Sequence, residues 1–177
     1  MSADPETYGW LHGDLAWFGE AACVTVARGV TREPFVNAFG VDLASPESRE
    51  NSVVALDDED APALISFTEI KGALVAVEVK GSVGSEPDVL ELTSTPGRSA
   101  SASWDAAGAV RFACAEDGEV RYDGEPGDGG LPAELTLPDT DASPQVRAMV
   151  LVEAWTGTRV SAADVERALT LGYVAES

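Results

Sequence analysis

Lysine, histidine and cysteine are nearly missing from this chain. Two lysines (Lys71, Lys80), one histidine (His12) and two cysteines (Cys23, Cys114) are spread over 177 residues. Eleven Lys and Arg stand against 31 Asp and Glu, for a formal charge of −20. The deficit of bases is not confined to a tail. Residues 1–90 carry 16 acids and 5 bases, and residues 91–177 carry 15 acids and 6 bases. An even negative field disfavours nonspecific binding to nucleic acid or to an anionic membrane. It favours solubility and a basic protein partner, although an acidic proteome or a high-salt habitat would set the same charge with no partner involved.

The single histidine narrows the chemistry further. His12, Cys23 and Cys114 are the only nitrogen and sulfur ligands and have no zinc-ligand spacing. A Ser–His–Asp or Cys–His site would have to recruit His12. "KGSVGS" lacks the G-x-S-x-G turn of a nucleophile elbow. In "WLHGDL", His12 lies beside Asp14 and could shuttle protons; a surface histidine on an amphipathic helix is the favoured reading. With no catalytic set, no metal and no cofactor in sight, the balance leans away from an enzyme. Paired carboxylates are abundant, but nothing singles out two of them.

Long apolar runs are also lacking. No stretch approaches the roughly 18 apolar residues of a membrane span. The opening "MSADPETYGW" has neither the basic region nor the apolar stretch of a secretory signal. The expectation is a cytoplasmic protein with no membrane association. Both cysteines lie in apolar, strand-like runs and read as reduced, buried thiols.

What is present reads as an α+β domain spanning residues 1–177, with its core over 8–171. Leu11, Leu15, Phe18 and Ala22 recur at helical spacing, so residues 5–19 are expected to be helical. "ACVTVARGV" reads as a buried strand. Thr31 opens the next helix, with Phe35 and Phe39 on one face and Gly40 as its stop. Residues 41–62 read as a long polar loop, the kind that is usually functional or mobile. "ALISFTEI" and "ALVAVEVK" flank Lys71-Gly72 as a hairpin, and Ser85 is expected to cap a short helix over "EPDVLELTS". "SASASWD", "AVRFACA" and "EVRYD" follow as strands, the last two joined at Asp117-Gly118. Ser143 with Pro144, and then Ser161 with Asp164, start two C-terminal helices. The predicted architecture is an antiparallel sheet of about five to six strands. Helices from both ends of the chain pack on one face, and alternation buries residues such as Val75 and leaves the acids outside.

Four acids in a row, Asp57, Asp58, Glu59 and Asp60, stand in the long loop. Read as a calcium loop from Asp58, the sixth position is Ala63 where glycine is needed, and an apolar strand fills the ligand positions before Glu69. "DTDASP" from Asp139 has Pro144 at that position and fails equally. The four acids are read as a solvated loop, with a contact surface for a basic partner as the functional alternative. "VEVKGSVGSEPD" resembles a phosphate loop in outline, but Glu86 and Asp88 oppose an anion and the P-loop Lys-Ser/Thr is missing. "EAWTGTRVSAADVERALTLGY" could outline a DNA-reading helix pair, yet Asp164 and Glu166 outweigh Arg167; a packed helical hairpin is expected.

"CVTVARGVTREPFVNAFG", with Trp10-Leu11 upstream, and "SASWDAAGAVRFACAEDGEVRYD" resemble an uncharacterised actinobacterial domain family of unknown function. The resemblance spans residues 8–171. Its marker positions, Cys23, Arg28, Gly29, Trp104, Arg111, Phe112 and Asp117-Gly118, form no catalytic set, and the family brings no established activity. Pro34 and Asn37 depart from the pattern, which bears on the limits of the helix after Thr31.

The function expected first is a non-catalytic protein-interaction module for a basic partner, of the immunity or antitoxin kind. The second is a small-ligand-binding domain or unrecognised enzyme with its site under the 41–62 loop. The third is a nucleic-acid mimic, which requires carboxylates in two rows at phosphate-like spacing. The candidate binding residues are Arg28, Trp104, Arg111, Asp57, Asp58, Glu59 and Asp60.

Overall fold

In a computed structural model of the chain, residues 4–41, 64–137, 141–170 and 172–174 are described. Chain order runs from a 3-10 helix (Pro5–Leu11) through β1 (Ala22–Arg28), α1 (Arg32–Ala38), β2 (Leu64–Ile70) and β3 (Ala73–Val79). A short 3-10 turn (Val83–Ser85), α2 (Pro87–Thr93), β4 (Arg98–Trp104), β5 (Val110–Glu116) and β6 (Glu119–Gly124) follow. The chain closes with α3 (Pro144–Thr156), α4 (Ala162–Leu169) and β7 (Gly172–Val174). The class is α+β. One open sheet holds the strands in the order β6-β5-β4-β1-β3-β2-β7, every neighbouring pair antiparallel.

Local chemistry explains most of these elements. Lys71 and Gly72 both take positive φ, as do Asp117 and Gly118. Tight hairpin turns of this kind need that conformation at both central residues, because it matches the twist of the flanking strands. Ser143 accepts the Val146 N–H ahead of Pro144, so α3 starts as the sequence predicts. Gly157, at φ 69°, ends it. At α4, Ser161 and Asp164 form a reciprocal capping box.

Three expectations change. The helix over residues 5–19 is a 3-10 helix only to Leu11 and a series of turns thereafter. A Cβ on Gly19 would lie 2.5 Å from the Leu11 carbonyl oxygen, so the chain folds back more tightly than an α-helix allows. Leu11, Leu15 and Phe18 are buried nonetheless. The cap of α2 is Glu86 rather than Ser85, which sits in the preceding turn with its side chain buried. A seventh strand, β7, joins the sheet by pairing with β2.

The sheet is covered on both sides. Alternation puts Val24, Val26, Val75, Val77, Ala100, Ala102 and Phe112 on one face. That face is packed by the N-terminal 3-10 segment, α3 and α4 through Leu11, Phe18, Met149, Leu151 and Val165. Trp104 is anchored there, its Nε1 donating to the Phe18 carbonyl at 3.0 Å. The opposite face has a smaller apolar cluster beneath α1 and α2, built around Phe35, Phe39, Phe67 and Val89. The three phenylalanine rings meet edge to face at 5.4–6.0 Å between centroids. No helix among the described residues is long and apolar enough to cross a membrane.

Candidate functional site

The second face of the sheet is polar along one cross-strand row. The register sets Glu78 opposite Cys23, Cys23 opposite Ser103, and Ser103 opposite Arg111. Thr25 and Ser101 pair in the row beside it. Apart from Arg111, all of these side chains are buried. Burying polar groups is costly unless they are hydrogen-bonded, and this row is bonded almost throughout.

Glu78 is a carboxylate inside an otherwise apolar strand, contrary to the expectation that acids stay outside. Its two oxygens accept the Val83 and Gly84 N–H groups, each at 2.8 Å. The Cys23 thiol faces this carboxylate across the β1–β3 pair. Cys23 Sγ lies 3.5 Å from Ser85 Oγ and 3.8 Å from Thr25 Oγ1. Ser85 is in turn reached by the Ser101 hydroxyl at 3.4 Å. Desolvation raises the pKa of Glu78, against the pull of the two backbone N–H donors. Desolvation and the neighbouring Glu78 push the Cys23 thiol up as well, so it stays protonated and unreactive. Gly84 is required where the turn meets the sheet: a Cβ there would stand 1.9 Å from Thr25 Oγ1 and 3.0 Å from Glu78 Oε2.

The row opens at the β4–β5–β6 end into a groove of about 380 Å3. Ser82, Ser103, Asp105, Val110, Arg111 and Glu125 line it, together with Trp104. Arg111 is the only basic residue in the lining among the described residues. Its Nε and Nη2 both donate to the Asp123 carboxylate on β6, a two-pronged pair. Hydrogen bonding to Asp123 holds the guanidinium firmly in its charged form. Asp105 spends Oδ1 on the Ala107 and Ala109 N–H groups of the β4–β5 turn. Glu125 and Asp105 are both exposed at the rim.

Two of the sequence candidates, Trp104 and Arg111, thus meet in one groove. Arg28 does not join them. It lies at the other end of β1, where its Nε donates to Thr158 Oγ1 at 2.8 Å. Asp57, Asp58, Glu59 and Asp60 lie outside the described residues, as does the 41–62 loop beyond Val41. His12 does not bond Asp14; its Nε2 lies 2.7 Å from Ser143 Oγ. Among the described residues no group of three or more His, Cys, Asp or Glu could hold a metal ion.

Sequence reasoning missed Glu78 and the buried serines. One signal was available: "ALVAVEV" has a single acid in a run whose neighbours are all buried. The serines of "SASASW" alternate with small apolar residues, which marks one face of a strand as polar.

No curated protein and no solved structure matches this chain. A family model does match, over residues 1–132, so the matched part carries β1 to β6 and the whole groove and stops short of α3 and α4. The chain belongs to that family, a family of unknown function (DUF6461).

Proposed function

We propose that this chain is a cytoplasmic binding module for a basic protein, of the immunity or antitoxin kind, and that the partner surface itself performs no chemistry. One observation carries the reading. Arg111, the one cation lining the groove among the described residues, is neutralised by Asp123, while Asp105 and Glu125 stand exposed at its rim. Arg98, Arg121, Arg159 and Arg167 likewise pair with neighbouring carboxylates. At these positions positive charge is neutralised locally, and the chain's net charge of −20 leaves the outward field negative. Such a field steers a basic partner and raises its on-rate. Ser82, Ser103 and the apolar Val110 then suit the stem and head of an incoming arginine or lysine side chain.

Affinity capture from the host lysate, at low and at high salt, tests this. One stoichiometric basic protein, held at low salt and shed at high salt, is the expected result. An empty capture at both salts would sink the reading.

A second reading, a small-ligand site, is supported by the groove's size, since small-molecule sites begin at roughly 300 Å3. Metabolite screening that returns a neutral polar compound, with binding unchanged by salt, would favour it.

A further inference from the structure

The single histidine and the cap of α3 meet away from the groove described above. His12 follows the N-terminal 3-10 helix, and its Nε2 is 2.7 Å from Ser143 Oγ. Ser143 is the N-cap of α3, and its Oγ already accepts the Val146 N–H at 3.3 Å. In the His12 tautomer that carries its proton on Nδ1, the Ser143 hydroxyl donates its hydrogen and Nε2 accepts it. A hydroxyl bonded in this way to a histidine is the arrangement that activates a serine nucleophile. The pair opens on a second hollow of about 360 Å3, walled by Pro5, Ala142 and Val146 and edged by Glu6 and Asp141.

We propose that Ser143 and His12 form a serine–histidine nucleophile that cleaves small carboxylic esters. Ser143 Oγ attacks the ester carbonyl carbon while its proton passes to His12 Nε2. The oxyanion that forms lies at the N-terminus of α3. Pro144 has no N–H to offer there, and the amide of Gln145, at the second helical position, has no intrahelical acceptor. Collapse of the tetrahedral intermediate breaks the carbon–oxygen bond to the alcohol, which takes the proton from His12. Water then attacks the acyl-Ser143 ester, giving its proton to His12, and the carboxylic acid leaves as Ser143 regains its hydrogen. The net reaction is ester plus water to acid plus alcohol. Apolar walls favour a short apolar acyl group, and the carboxylates of Glu6 and Asp141 repel an anionic one. The substrate class is therefore an uncharged or cationic short-chain ester. This activity is separate from the basic-partner reading and stands or falls independently of it.

A fluorophosphonate, which reacts preferentially with activated serines, is the probe. Intact-mass and peptide analysis of the full chain should find one adduct, on Ser143. Ser143→Asn keeps a cap oxygen for α3 and removes the nucleophile, so it should fold normally and take no label. His12→Gln should slow labelling by about 100-fold or more, the usual contribution of a general base. No adduct on Ser143 in the native protein, or equal labelling rates in native and His12→Gln protein, would overturn the proposal and leave the pair as a helix cap.

Discussion

The two faces of the sheet are made from the same strands and differ in what they bury. On one face, Val24, Val75, Val77, Ala102 and Phe112 meet α3 and the N-terminal segment in an apolar core. On the other, Cys23, Thr25, Glu78, Ser101 and Ser103 are buried in two adjacent polar rows, in which Cys23, Thr25, Glu78 and Ser101 are hydrogen-bonded. The apolar face derives its stability from area removed from water, which is non-directional and tolerant of small shifts. The polar face depends on geometry, because each of its groups is costly to bury if its partner is lost. The small side chains of the row let the Val83–Ser85 turn settle directly on the sheet. That turn follows Ser82, which lines the groove. The first face holds the fold together and the second fixes the shape of the candidate site.

The comparison can be broken most sharply at Phe112, which is fully buried on the apolar face and stacks near Tyr122. Phe112→Ala should cost about 3–5 kcal/mol in urea denaturation, the usual range for an emptied aromatic site. A loss comparable to that of a surface substitution would show that this face is not the principal core. On the polar face, Gly84→Ala forces a methyl against Thr25 and Glu78 and should cost about 1–3 kcal/mol. It should also disturb the environment of Ser82, visible as shifted amide resonances along the groove.

Glu78 sharpens the contrast through pH. Its pKa is raised in the folded protein, so folding takes up a proton between the ordinary glutamate value and the raised one. Its contribution to stability is fully present below the ordinary value and is lost as pH rises through the raised value. Glu78→Gln cannot titrate. The native protein should therefore gain stability relative to this variant as pH falls through that window, read as the gap between their urea midpoints at a series of pH values. A gap that stays constant would mean that Glu78 is not desolvated as described. The smallest effect belongs to Arg111, whose pair with Asp123 is 40% and 29% exposed. Solvent screening leaves such a pair worth about 0.5 kcal/mol, so Arg111→Gln should barely move the denaturation midpoint.

Much of the fold was legible because its signals are local. Lys71-Gly72 and Asp117-Gly118 announce their turns through conformations that few other residue pairs adopt. Ser143-Pro144 and the Ser161–Asp164 box announce helix starts. The N-terminal segment showed the right buried residues on the wrong backbone. Burial follows the apolar spacing of Leu11, Leu15 and Phe18, whereas the helix type follows the tight return at Gly19. The strand β7 was not legible, since three residues form a strand only by pairing with β2, more than 100 positions away. The candidate site was half legible. Trp104 and Arg111 were singled out, but the register that lines up Glu78, Cys23, Ser103 and Arg111 joins four strands and appears in no local window. The bond from His12 to Ser143 spans 131 residues and was equally hidden.

The central claim is that the groove at the end of the polar row receives a basic partner through Asp105 and Glu125. Its most direct test is the affinity of the captured basic protein for the native chain and for an Asp105→Asn, Glu125→Gln double variant at matched ionic strength. The account predicts a loss of about tenfold or more from removing two charges out of a large surplus, with folding stability changed by less than about 1 kcal/mol. Equal affinities would contradict it and assign the partner to the diffuse negative field alone.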